Sequence, residues 1–355
     1  MQRFFANKKF DPEDSLELAR GYFENISYHK GVLTISGWMI PIDEENDSLR
    51  LYLNTERFAE SVPVIRQDVK KALANIDCTE YSGFFFNCDV SKTELEELQH
   101  ISVVGCRAET EKNKIDTWFD KDIYATIEAP PKHLTQRVSN TEDAKFFLIS
   151  GMKTFGEYWY TVRKHRDPAT IKRMLDWGCG CGRVIGFFSK YTNISQIAGC
   201  DVDSEAIEWC KSNIESVEFS VIPFFPPTHY ANNTFDLVVS FSVFTHLTAE
   251  NQALWLQEIH RILAPGGIFL TTVHGKSAAK LSFPASKIDK LLKYGIYEDQ
   301  HDNSLDGIAP KNYYRAVFQT KAYTCQEWAR FYTILEYKER GALNHQDLVV
   351  MKKES

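Results

Sequence analysis

The sequence has no apolar run near the eighteen or so residues that a membrane-spanning helix needs. Its N-terminus, MQRFFANKKFDPEDS, lacks the apolar core of a secretory signal, so we expect a cytoplasmic protein. It also lacks an excess of basic residues. The formal net charge is −7, which disfavours nucleic acid as the main partner because phosphate binding needs a basic face.

Cysteines are present, but their spacing is not that of a zinc site. The chain has eight of them, including the pairs Cys179/Cys181 and Cys200/Cys210. Neither pair shows the usual C-x₂₋₄-C spacing of zinc ligands. Because no export signal is visible, we expect reduced thiols and no metal.

The length of 355 residues suggests two domains. Short segments rich in β-branched and aromatic residues predict strands at 31–40, 48–54, 82–90 and 100–108, with a helical turn at 66–76. These features predict a small, mainly-β, sandwich-like domain. Residues 121–140, centred on EAPPKHL, show neither the alternation of a strand nor the periodicity of a helix, so they predict an irregular linker. We therefore expect domains at 1–130 and 131–355.

Beyond the linker, strand and helix patterns alternate. A helix is predicted at 141–167 with Thr141 as its cap, and strands are predicted at RMLDWG, QIAGCD, VEFSVI, FDLVVSFS and GIFLTTV. This alternation predicts a Rossmann-like, doubly wound α/β sheet. A late helix with the capping-box pattern Thr324…Glu327 precedes two more strands. The long excursion at 276–323 is typical of a lid or substrate loop.

The stretch DWGCGCGR, residues 176–183, follows the first of these strands. A dinucleotide site would show G-x-G-x-x-G, but the third glycine is replaced by Arg183 or Ile185, depending on the register, so NAD is disfavoured. The acid before the loop, Asp176, can hold an ammonium group instead. Bare backbone at the glycines lets the chain approach a ligand closely.

A second acid ends the next strand. Asp201 lies nineteen residues past Gly182, where a carboxylate can accept hydrogen bonds from a ribose diol. The alternative is that Asp201 caps the following helix, as its neighbours Asp203 and Ser204 also could. Two acids that flank a glycine loop at adjacent strand ends predict S-adenosylmethionine as the ligand.

Residues 145–353 resemble class I S-adenosylmethionine-dependent methyltransferases of bacteria. The resemblance is carried, in order, by LDWGCGCGRV, GCDVDSEAIEWC, FDLVVSFSVFTHL and RILAPGGIFLTTVHG. It implies that the glycine loop and Ser240 hold the methionine end of the cofactor, that Asp201 holds the ribose, and that Val202 and Phe224 contact the adenine. The implied cofactor-binding set is Asp176, Gly178, Cys179, Gly180, Arg183, Asp201, Val202, Phe224 and Ser240. Ile222 stands where that group usually has a polar residue.

Methyl transfer to a hydroxyl also needs a base, and two histidines follow strands of the predicted sheet. His246 is in SVFTHL after strand four, and His274 is in TTVHG after strand five, so both should lie at the acceptor side. Either has a structural alternative, as a helix cap or a turn residue. His345 and Asp347 in the last hairpin are further candidates to close the site. Tyr313 and Tyr314 could stack on an acceptor or pack in the protein.

The segments SGWMIP, RQDV and SGFFF resemble accessory modules of bacterial surface-polysaccharide assembly enzymes. This resemblance implies that the acceptor is a sugar hydroxyl or phosphate on a glycan or lipid-linked intermediate. One alternative is a small-molecule O- or N-methyltransferase of secondary metabolism. Another is a non-catalytic cofactor-binding scaffold. An NPPY-like amine site is replaced by SFSVF, which disfavours nucleobase and glutamine amines. The oligomeric state is left open.

Overall fold

The computed structural model describes four segments of the chain: 17–40, 45–73, 80–123 and 127–354. The chain divides into two compact units, which are Met1–Ala129 with Asp143–Gly156, and Pro130–Glu142 with Glu157–Ser355. The N-terminal stretch MQRFFANKKFDPEDS and residues 74–76 of the predicted helical turn lie outside the described residues. No helix in the described part of the chain is long and apolar enough to cross a membrane.

The described strands of the first unit form sheets in the orders β1-β9-β8-β4-β5 and β2-β3-β7-β6. Their bounds are β1 Glu17–Leu18, β2 Arg20–His29, β3 Val32–Ile40, β4 Ser48–Leu53, β5 Glu56–Ser61, β6 Val64–Ile65, β7 Tyr81–Asp89, β8 His100–Arg107 and β9 Thr110–Trp118. Two short helices are α1 Gln67–Ala72 and α2 Lys92–Glu97.

Neighbouring strands in this unit pair antiparallel, apart from β1 with β9. The two sheets share one core, which includes Leu33, Leu51, Phe84 and Ile101. The sandwich-like fold is confirmed. The sequence patterns missed β2, β5 and β9, whose partly polar residues give less regular alternation.

In the second unit the sheet order is β12-β11-β10-β13-β14-β18-β17. The strands are β10 Arg173–Trp177, β11 Gln196–Asp201, β12 Glu218–Val221, β13 Phe235–Val239, β14 Leu263–Val273, β17 Thr333–Ala342 and β18 Gln346–Lys352. β10 to β14 pair in parallel, and β18 runs antiparallel to both β14 and β17. The Rossmann-like sheet is confirmed.

Helices connect these strands. Their bounds are α3 Lys132–Ser139, α4 Ala144–His165, α5 Ile185–Tyr191, α6 Ser204–Asn213, α7 Ala249–Ile262, α8 Lys276–Ser282, α9 Ala285–Tyr294 and α10 Lys321–Trp328. The predicted excursion after β14 contains α8, α9 and an antiparallel pair, β15 Ile296–His301 with β16 Arg315–Gln319. It has a small core of its own, which includes Phe283, Leu291 and Phe318.

Three local predictions were wrong. The linker is not irregular throughout, because α3 forms within it. Helix α4 begins at Ala144, and the Asp143 carboxylate, rather than Thr141, accepts from the Lys145 backbone N–H. Helix α10 is capped by Thr320, whose hydroxyl accepts from Tyr323, whereas Thr324 is buried within the helix. For α4 and α10 the true cap is a nearby residue of a type that also caps helices, so composition alone did not distinguish the two candidates.

Candidate active site

The candidate site lies at the carboxyl edge of the second unit's sheet. Asp176 is the second-to-last residue of β10, Asp201 ends β11, and Ser240 follows β13. His274 follows β14. Because these parallel strands are adjacent in the sheet, their ends meet at one edge, which is where ligands bind in this architecture.

The loop after β10 requires its glycines. Gly178, Gly180 and Gly182 have φ of 76°, 52° and 76°, a region that side-chain-bearing residues rarely adopt. A Cβ on Gly178 would lie 2.3 Å from a methyl group of Val243, and one on Gly180 would lie 3.0 Å from a methyl of Val138. A side chain at Gly178 would therefore collide with Val243, and one at Gly180 would require Val138 to shift.

Asp201 holds this loop in place. Its Oδ2 accepts from the Gly180 N–H at 2.8 Å, and its Oδ1 accepts from the Asp203 N–H at 2.9 Å. The cap of α6 is Asp203, whose carboxylate accepts from the backbone N–H groups of Glu205 and Ala206. The capping role considered for Asp201 thus belongs to Asp203. A carboxylate offers about four lone-pair sites, so the Asp201 oxygens keep acceptor capacity for a ligand diol.

Asp176 is a buried acid of the site. It is 2% exposed. Burial, reinforced by the nearby Asp201 charge and opposed by Arg183, raises the pKa of Asp176 to about 7. The Arg183 guanidinium lies 4.7 Å from the centre of the Phe241 ring. A buried carboxyl poised in this way gains from a cationic partner such as a ligand ammonium.

A hydroxyl close to Asp176 also fits a polar ligand. Ser240 is fully buried, and among the described residues its Oγ has no hydrogen-bond partner. The Tyr158 hydroxyl donates to the Ser240 carbonyl at 2.8 Å, which leaves the side chain unused. An orphaned buried hydroxyl and a glycine cradle are what an amino-acid end of a cofactor would satisfy. The residues therefore fit S-adenosylmethionine.

The remaining predicted cofactor residues are packed more conventionally. Cys179 is buried, and its N–H donates to the Cys200 carbonyl at 3.0 Å. Val202 and Phe224 are partly exposed and pack against the sheet's core, as an apolar wall for an adenine would. Tyr313 is a core residue rather than an exposed stacking ring, because it is 7% exposed and accepts from the Trp255 indole N–H.

On the acceptor side, His246 is held between two residues of the excursion. It lies in a short 3₁₀ helix, Phe244–His246, with its Nδ1 3.3 Å from Asp302 Oδ2. Its ring stacks on Tyr314 at a centroid distance of 4.2 Å and an angle of 11°. The Asp302 N–H in turn lies 3.4 Å from the Tyr314 carbonyl oxygen that accepts it. Helix α7 is capped by Thr248, so His246 is not its cap.

Asp302 is a functional candidate that the sequence patterns did not identify. Burial favours its neutral form, but the contact with His246 outweighs burial and holds the pKa of Asp302 below its ordinary value. The signal available was weak, since Asp302 is one of several acids in a polar stretch of the excursion. Only the folding of β15 and β16 brings it to His246.

His274 lies next to His246, with ring centroids 6.1 Å apart. It stacks on Phe318 at 4.8 Å, and the His345 ring is 5.6 Å away. Burial, with the two neighbouring imidazoles, holds the pKa of His274 well below its ordinary value, so it is neutral at pH 7. A neutral imidazole has one ring nitrogen that accepts a hydrogen bond, whereas an imidazolium has none.

The carboxylate of Asp347, the other candidate of the last hairpin, forms hydrogen bonds within the protein. It accepts from the Tyr337 hydroxyl at 2.7 Å and from the Arg340 backbone N–H at 2.8 Å. Burial raises its pKa. The carboxylate therefore ties β17 to β18. Among the described residues, no group of three or more His, Cys, Asp or Glu side chains is arranged to hold a metal ion.

Parts of the chain are similar to known proteins. Residues 175–271 match a family model described as a methyltransferase domain. The chain is 26% identical over 110 residues to the cyclopropane-fatty-acyl-phospholipid synthase of Escherichia coli K12. This match covers 31% of this chain and 28% of that protein. It is 34% identical over 47 residues to the rRNA N(6)-adenosine-methyltransferase metl-5 of Caenorhabditis elegans, covering 13% and 22%. The chain spans less than a third of the length of these curated relatives.

Solved structures give more distant likenesses. Human N-acetylserotonin methyltransferase in complex with SAM is 16% identical, with a TM-score of 0.41 over 64% of this chain and 60% of that one. An S-adenosylmethionine-dependent methyltransferase from Mesorhizobium loti is 17% identical, with a TM-score of 0.40 over 56% and 98%.

Proposed function

We propose that the protein is an S-adenosylmethionine-dependent methyltransferase that methylates an acceptor oxygen, because residues 175–271 match a methyltransferase domain. The proposed acceptor is a sugar hydroxyl or phosphate of a surface glycan or its lipid-linked precursor. When bound, the cofactor supplies an electrophilic methyl group. The protein must then align the acceptor and, if the acceptor is a hydroxyl, take its proton.

The observation that carries the proposal is the His246–Asp302 pair at the same sheet edge as the glycine loop. His246 presents its Nδ1 to a carboxylate, which leaves Nε2 as the atom that takes a proton from the acceptor. Asp302 stabilises the imidazolium that forms, and Tyr314 fixes the plane of the ring. Histidine is the side chain best suited to this task near neutral pH.

The cofactor would be held by the groups on the other half of the edge. Asp176 would bind the ammonium group, and the backbone of Gly178 and Gly180 would lie against the amino-acid end. Asp201 would accept from the ribose hydroxyls through the lone pairs that the loop leaves unused. Val202 and Phe224 would flank the adenine. These assignments agree with the burial and hydrogen bonding of each residue.

Calorimetric titration tests the first half of the proposal. We expect the purified protein to bind S-adenosylmethionine or S-adenosylhomocysteine and to ignore NAD. Binding of NAD with no response to S-adenosylmethionine would refute the proposal as a whole.

Transfer of a tritiated methyl group onto fractionated cell extracts tests the second half. We expect the label in a glycan or lipid-linked sugar fraction, and we expect it to disappear with the His246→Ala variant. Label in a small-molecule fraction would instead support a secondary-metabolism enzyme. Absence of any transfer, with intact cofactor binding, would support a scaffold.

A further inference from the structure

We infer that the side-chain amide of Gln346 recognises a second, non-reacting hydroxyl of the acceptor. The inference rests on the proposed methyltransferase function and narrows its substrate class to neutral, polyhydroxylated acceptors. We call the three residues that build this place, Gln346, Ser242 and His274, the amide subsite. It lies beside His246, because the rings of His246 and His274 are 6.1 Å apart.

The antiparallel pairing of β14 with β18 sets the position of Gln346. Val273 pairs with Asp347, so Gln346 comes beside His274 just past the end of β14. Its Nε2 donates to Ser242 Oγ at 2.8 Å and lies 3.5 Å from His274 Nε2. Gln346 is 6% exposed, and its Oε1 has no partner among the described residues. One end of a buried amide is thus fixed, and the other end is left for a ligand.

The chemistry of the fixed end does not depend on which amide atom is nitrogen. The Ser242 hydroxyl both donates and accepts, and the imidazole can do either according to its tautomer. The free end is therefore either a carbonyl acceptor or an amino donor. A hydroxyl satisfies both, whereas a phosphate only accepts and an ammonium only donates. The neutral form of His274 adds no charge that would favour an ion.

The protein holds Ser242 in an unusual conformation to make this contact. Ser242 has φ of 62°, a region that is costly for a residue with a side chain. Its N–H donates to Thr272 Oγ1 at 2.9 Å, which anchors the loop to the end of β14. Strained residues of this kind gather at binding sites. On the hairpin side, the Leu343 N–H donates to Glu157 Oε2 at 3.0 Å, so both sides of the subsite are fixed.

The test uses the full chain loaded with S-adenosylhomocysteine and ligand-observed NMR. The probes are a panel of neutral methyl glycosides and the matching sugar 1-phosphates. We expect at least one neutral glycoside to bind, and Gln346→Met to weaken it about tenfold, as for one hydrogen bond lost in a buried site. Gln300→Met makes the same change on an exposed strand and should alter nothing.

Two further measurements separate recognition from a purely structural role. Ser242→Gly removes the hydrogen bond that joins hairpin and loop but leaves the free end of the amide, so glycoside affinity should fall by no more than about threefold. Equal losses of affinity and of melting temperature in Ser242→Gly and Gln346→Met would overturn the inference. So would binding of the sugar phosphates alone, or of no neutral glycoside. Failure to bind S-adenosylhomocysteine would instead refute the proposed function itself.

Discussion

The two halves of the carboxyl edge are built in different ways. On the proposed cofactor half, most groups come from one glycine loop and the end of the next strand, and the Asp201 carboxylate accepts from the Gly180 backbone N–H. On the acceptor half, the groups come from separate segments: His246 after β13, His274 after β14, Asp302 in the excursion and Gln346 in the last hairpin. A substitution on one half should therefore impair either cofactor binding or proton transfer, and leave the other nearly unchanged.

The largest effect should come from His246→Ala. If the acceptor is a hydroxyl, turnover should fall by about 10²–10⁴, the usual contribution of a positioned base. Cofactor affinity should stay within about twofold, roughly 0.4 kcal/mol, because His246 lies on the other half of the edge. Methyl transfer and calorimetry measure the two quantities separately.

The contrary results are specific. Full activity in His246→Ala, with loss in His274→Ala, would assign the base to the end of β14. Full activity in both variants would mean that the acceptor is already ionised, as a phosphate is. Loss of cofactor affinity in His246→Ala would show that the two halves are not independent.

Asp302→Asn should have the next largest effect. Turnover should fall roughly 10- to 100-fold, less than the ~10⁴ lost with a fully buried triad acid, because His246 and Asp302 are 15% and 19% exposed. Asp302→Glu should restore part of the rate. Asp306→Asn is a matched control, since it removes an acid 3.0 Å from His301 on the exposed surface. Equal losses in both variants would make Asp302 a structural residue of the excursion.

The same contrast explains what the sequence could predict. Asp176, the glycines and Asp201 lie within one strand–loop–helix–strand unit that runs from β10 to β11, so the sheet and the position of these residues were predictable. Asp302 and Gln346 reach the site only through the register of β15 with β16 and of β14 with β18. No local pattern encodes such registers. Thr320 and Asp143 were missed as caps for a different reason, because neighbouring residues cap helices equally well.

On the cofactor half, Asp201→Ala should weaken S-adenosylmethionine binding by about 10- to 100-fold. Each charge-assisted hydrogen bond to the ribose contributes roughly 1.5–3 kcal/mol. The loop also loses its hold on the Gly180 N–H. Asp203→Ala removes the cap of α6 and one of the two acids that hold Arg137, so it should lower thermal stability and weaken binding less than Asp201→Ala does. Calorimetry that finds unchanged affinity in Asp201→Ala would assign that residue to loop structure alone.

The pH dependence of binding should sharpen the role of Asp176. Its pKa is raised to about 7 in the free protein. Because a ligand ammonium needs the ionised carboxylate, affinity should rise close to tenfold between pH 6 and pH 8, with release of a proton on binding. The folding stability of the free protein should change with pH in the opposite direction to the affinity. The folded state holds the extra proton between about pH 4 and 7, so stability falls as pH rises through that window.

Calorimetry in two buffers of different ionisation enthalpy measures the proton released at each pH. Asp176→Asn should bind more weakly and should lose both the proton release and the slope with pH. A slope that survives in Asp176→Asn would assign the titration to another group.

The smallest effect is expected from removal of the β unit. A fragment of residues 131–355 should bind S-adenosylmethionine within about threefold of the full chain, because the groups assigned to the cofactor lie in the second unit. Ile149 packs in the core of the β unit, so the fragment should carry Ile149→Lys to avoid an exposed apolar face. A fragment of residues 141–355 is the matched comparison, since it lacks α3.

Helix α3, which the shorter fragment lacks, contacts the proposed cofactor half directly. Arg137 donates to Asp203 at 2.6 Å and to Glu205 at 2.9 Å, and Val138 lies against Gly180. We therefore expect the shorter fragment to bind at least tenfold more weakly than the longer one, through loss of support for the glycine loop rather than of a ligand contact. Calorimetry and thermal melting of both fragments test this. If the longer fragment is insoluble or does not bind the cofactor, the second unit depends on the first, and the separation of the domains at residue 131 is wrong. Equal affinities in the two fragments would show that the loop holds its shape through Asp201 alone.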